Sequence, residues 1–70
     1  MDNQLKQKLI EEFGTMKLIE QDAYDFYLKA SQDPNVHEEK ISNYFSKIAE
    51  DEQYHIELID QIINIITNCL

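Results

Sequence analysis

Only one stretch of this chain interrupts an otherwise continuous helical pattern: SQDPN, residues 31–35. The chain holds one Gly and one Pro, so no other strong breaker is available. Pro34 is tolerated in the first turn of a helix, and Asp33 before it offers a carboxylate to the free amides there. Asn35, three residues before Glu38, offers a second start slightly later. These signals predict a first helix over about 3–31, a turn at about 32–35 and a second helix over about 35–68. A connection this short pairs the helices antiparallel, so the expected fold is all-α, a two-helix hairpin in a single domain spanning 1–70. Gly14 falls inside the first helix, at a cost of about 1 kcal/mol relative to Ala.

Alternating steps of four and three residues mark the packed face of each helix. In the first helix they select Leu9, Phe13, Met16, Glu20, Ala23, Tyr27 and Ala30. In the second they select Ile41, Phe45, Ile48, Glu52, His55, Ile59, Ile62, Ile66 and Cys69. Both lines are apolar except near their middles. There Glu20 on one helix, and Glu52 with His55 on the other, are expected to point inward. At a rise of 1.5 Å per residue their heights agree to within roughly one turn. Met16 and Cys69 read as core residues on the same lines.

With 14 acidic against 6 basic residues, the net charge of −8 argues against nucleic acid and anionic membranes and favours cationic partners. The start, MDNQLKQKLI, lacks the basic-then-apolar order of a secretory signal. The oiliest stretch, IELIDQIINIITNCL, is broken by Glu57, Asp60, Gln61, Asn64 and Asn68 and should not span a bilayer. A cytoplasmic location is the expectation. One cysteine forms neither an intrachain disulfide nor a multi-cysteine metal site.

A carboxylate on a packed face must be protonated, ion-paired or metal-bound. No Lys or Arg falls on either line, since Lys17, Lys29, Lys40 and Lys47 lie on the flanks. Glu52 and His55, at i and i+3, project from one helix face. A divalent cation suits carboxylate and imidazole ligands together. One hairpin supplies three such groups, and two hairpins about a two-fold axis supply four Glu and two His. That set matches the di-metal carboxylate four-helix bundle, with a single Glu from each of two helices and Glu-x-x-His from the other two. The second helix also carries Ile56, Leu58, Ile59, Ile62, Ile63, Ile65 and Ile66, more apolar surface than one partner helix covers. Association with further helices is expected.

The segment EQDAYDFY, with Glu20, Ala23, Asp25 and Tyr27, followed by AEDEQYH after a DP turn, resembles the ferritin-like superfamily. Within it the resemblance is to encapsulated ferritins and to the half-bundles of rubrerythrins, over roughly residues 9–66. It implies a ferroxidase: two iron ions per dimer, Fe(II) oxidised by dioxygen or peroxide, and Glu20, Glu52 and His55 of each chain as metal ligands and catalytic residues. It also implies a homodimer or larger ring, inside an encapsulin shell in the encapsulated members. Asp22 matches an acidic position on the iron entry route. Ile19 departs from another such position. Asp51 is placed to accept a hydrogen bond from a partner's His55, and Tyr24 and Tyr27 to bond Glu20 or donate an electron, against plainer roles as solvated carboxylate and core aromatics.

Two departures limit these expectations. The shell-docking tail of encapsulated ferritins is not among the 70 residues. The four-cysteine domain of rubrerythrins is absent too, so self-sufficient peroxidase activity is not expected. Two other classes stay open: a non-enzymatic acidic interaction module, and a bundle holding zinc or manganese without redox turnover.

Overall fold

A computed structural model describes all 70 residues as two helices, α1 (Asn3–Gln32) and α2 (Glu39–Cys69), with no strand. Asp2 caps α1 by accepting from the Gln4 amide at 3.2 Å. Tyr27 lies against Phe45, Glu20 against His55 and Lys17 against Asp60, so numbers fall on one helix as they rise on the other. The helices are therefore antiparallel, in a rod of 52 × 15 × 11 Å. No helix is long and apolar enough to cross a membrane.

The second helix begins four residues later than the sequence signals indicate. Asp33 is not its cap but the C-cap of α1. Its carboxylate accepts from the Asn35 amide at 2.8 Å, and its carbonyl from the Val36 amide at 3.0 Å. Those bonds close a turn around Pro34 and use the groups that a helix start at 35 needs. Glu38 caps α2 instead, accepting from the Lys40 amide at 3.3 Å. The Ser42 hydroxyl donates to the Ser31 carbonyl, tying the two helix ends together.

Between the helices the buried set is Ala49, Ile56, Ile59 and Ile66. Phe45, Glu52 and Ile63 of α2 are half-buried on the same face, as are Phe13, Lys17, Glu20, Tyr24, Tyr27 and Leu28 of α1. The expected line through α2 holds at Phe45, Glu52, Ile59 and Ile66. The alternate positions are shifted by one: Ala49 and Ile56 are buried, whereas Ile41, His55, Ile62 and Cys69 are exposed. Met16 of α1 is also exposed, not core. Ala49, the smallest side chain on that face of α2, is the most completely covered residue at 2% exposure.

Gly14 has no heavy atom within 4 Å of where a Cβ would stand. Gly14→Ala is therefore expected to raise stability by about 1 kcal/mol, the helix-propensity difference without a packing penalty. Chemical denaturation of the two chains at equal concentration checks this.

Candidate metal centre

The middle of the hairpin brings Glu20 of α1 together with Glu52 and His55 of α2. One ligand atom from each lies within 4.8 Å of the others. His55 Nδ1 is 3.3 Å from Glu20 Oε2. Glu20 is largely covered, with 27% of its side chain exposed, while His55 is 52% exposed. The imidazole thus leans over the edge of the helix pair, not into it, because the buried face of α2 turns towards Ile56.

No Lys or Arg neutralises the two carboxylates. Lys17, one turn before Glu20, gives its ammonium to Asp60 at 2.7 Å. Hydrogen bonding to Glu20 holds the Glu52 carboxyl above its ordinary value. Burial and the negative charges of Glu20 and Asp51 push the same way, against a smaller opposing pull from His55. Two carboxyl groups held this close favour sharing a proton. A divalent ion takes the proton's place with two positive charges.

The other residues singled out from the sequence do not join this cluster. Asp22 and Tyr24 line a shallow surface cavity with Gln21, Asp25, Gln53 and Ile56. Tyr27 packs edge-on against Phe26, ring centroids 5.3 Å apart, and near Phe45 at 6.1 Å. Neither tyrosine hydroxyl bonds Glu20 within one chain. Asp51 is exposed, one residue before Glu52. The Lys17–Asp60 pair was not anticipated, because Lys17 reads as a flank residue. Its place one turn before Glu20 was the available signal.

The donor set fits a hard or borderline divalent cation: two carboxylates and one imidazole, with no thiolate near. Three donors leave the coordination of any such ion incomplete within one hairpin. Comparison with known protein families, with characterised proteins and with solved structures yields no match.

Proposed function

We propose that two hairpins assemble into a four-helix bundle and oxidise Fe(II) at a site shared between them, with Glu20, Glu52 and His55 of each chain as ligands. The observation that carries this reading is the convergence of three ligand atoms within 4.8 Å, without a cationic partner, at the middle of both helices. The resemblance to ferritin-like proteins supplies the choice of metal and reaction. Iron is the substrate here. Two Fe(II) ions yield one electron each to dioxygen, which takes up two protons and leaves as hydrogen peroxide. Peroxide as oxidant takes two further electrons and two protons to give water.

The protein's part is electrostatic and positional. Four glutamates from two chains balance the charge of two divalent ions. Glu20, Glu52 and His55 of each chain would hold the two ions, and three donors per chain would leave room for the oxidant. Glu52, whose carboxyl is held above its ordinary value beside Glu20, would bind the cation as the carboxylate, so cation entry would favour loss of its proton.

Glu20→Ala is expected to lower Fe(II) affinity by at least about 10-fold, whereas Glu11→Ala, on the solvated side of α1, has little effect. Anaerobic Fe(II) titration followed by calorimetry measures both. Equal losses mean that diffuse acidity attracts the metal. The exposure of His55 and of much apolar surface favours a second reading, a non-enzymatic interaction module; a chain that takes up no Fe(II) under these conditions selects it. Zinc or manganese binding without an oxygen-dependent ferric absorption band selects the non-redox bundle.

A further inference from the structure

The hairpin leaves one apolar face open. On α2 the line Ile41, Tyr44, Ile48, then Leu58, Ile62 and Ile65 keeps a strict three-four spacing and is exposed except at Ile48. Asp51 and His55 are its only polar members among these positions. On α1 the exposed Met16, Ile19 and Phe26 keep the same spacing through Ala23, with Ile19 62% and Phe26 65% exposed. Both lines stand one residue before the positions that face the hairpin core. Because the helices run in opposite directions, one step back, about 100°, swings both lines to the same side of the rod. The positions one step forward are polar on α2: Asn43, Ser46, Glu50, Gln53, Glu57 and Asp60.

Building on the two-chain assembly above, though not on its iron, the geometry points to a second copy of this chain as the occupant of the open face, in one register. The two-fold axis crosses the helices at right angles, level with Gln21 and Gln53, so that α2 lies antiparallel on the partner's α2 and α1 on the partner's α1.

Three observations fix that register. About residue 53 the α2 line maps onto itself: Ile48 meets the partner's Leu58, Tyr44 the partner's Ile62, and Ile41 the partner's Ile65. Its two polar members then pair with each other, the Asp51 carboxylate facing the partner's His55 imidazole. About residue 21 the α1 line does likewise, Ile19 meeting the partner's Ala23 and Met16 the partner's Phe26. Residues 21 and 53 are level within one hairpin, since they lie between the Lys17–Asp60 and Tyr27–Phe45 contacts and line one surface cavity. One axis therefore serves both helices. The other two-fold, parallel to the helices, lays α1 over the partner's α2 and sets His55 and Asp51 against the partner's Ile19 and Ala23. That arrangement desolvates charged groups on hydrocarbon.

The area agrees. The chain exposes 5389 Å². That is about 800 Å² beyond the ~4,600 Å² expected for a compact chain of this mass, and a standard contact covers ~800 Å² per partner.

The test uses nitroxide labels at Lys47→Cys, Tyr54→Cys, Gln61→Cys and Asn68→Cys, one at a time, in the full chain with Cys69→Ser. These four positions share the outward face of α2 and leave the contact untouched. Label-to-label distance is measured by pulsed electron resonance, once with chelator and once with diamagnetic Zn(II). The axial separation should grow about 3 Å per residue away from Gln53, with Tyr54 shortest and Asn68 about 21 Å longer than Gln61. Ile62→Lys should abolish the coupling, whereas Leu18→Lys, also exposed but on the other side, should keep it. Equal distances at all four positions, or no coupling under either condition, overturn the proposal. A growing profile with chelator in a chain that takes up no Fe(II) leaves this register standing and removes the iron chemistry alone.

Discussion

Glu52→Ala or His55→Ala is expected to abolish Fe(II) oxidation while the chain remains helical. Removing a hydrogen-bond partner behind a ligand typically costs 10–100-fold in affinity, so removing a ligand itself should exceed about 100-fold. Neither residue supports the helix that carries it. His55 is exposed, and Glu52 is only half-buried, with Glu20 as both hydrogen-bond partner and like-charged neighbour, so truncation opens no core cavity. Far-ultraviolet circular dichroism should be unchanged within error. Stopped-flow absorbance after mixing Fe(II)-loaded protein with oxygen measures the turnover. Oxidation at the native rate in the double variant would end the enzyme reading.

The second large effect is expected on assembly. Across the proposed contact the cluster meets its own copy, and four carboxylates share one poorly solvated space. Fe(II) reverses the sign of their interaction. Metal that binds only the paired chains stabilises them by about 2.7 kcal/mol when its free concentration is 100 times its dissociation constant. The dimer dissociation curve should move to roughly 100-fold lower protein concentration in sedimentation measurements. Glu52→Gln should tighten the metal-free dimer and lose most of the response to Fe(II).

pH acts through the same group. Glu52 is held above the ordinary carboxylate value of 4.5, so the folded chain keeps a proton that the unfolded chain has released. The stabilisation this gives is complete below 4.5 and is lost as pH rises through the raised value. Fe(II) competes with that proton, so its affinity climbs over the same interval. An association constant unmoved by Fe(II) in the native chain would mean that the ligands do not come from two chains.

The two helices were legible because their breakers are so few, and the cluster because three polar groups interrupt apolar lines at one height. What the periodicity did not resolve was which of two adjacent lines on α2 faces α1. Ile41, Ile48, His55 and Ile62 fit the spacing as well as Ala49, Ile56 and Ile63 do, since α2 is apolar over more than one face. The choice turns on the small volume of Ala49 and on where α1 sits, neither of which is a local property of α2. His55 was accordingly expected inside and is found at the edge. The start of α2 at Glu39 lies later than its sequence signals for a different reason. Asp33 and Pro34 serve a turn as well as they serve a helix cap, and only the bonds to Asn35 and Val36 decide between them.

The scarcity of buried residues sets how long a solitary copy survives. With only Ala49, Ile56, Ile59 and Ile66 enclosed, most of the backbone of an unpaired hairpin opens at little cost in free energy. Cleavage by a protease follows the population of such openings. In the proposed assembly, each chain shields the other. Copies left unpaired at low concentration are then the ones expected to be degraded, so the amount that accumulates should rise more steeply than the synthesis rate.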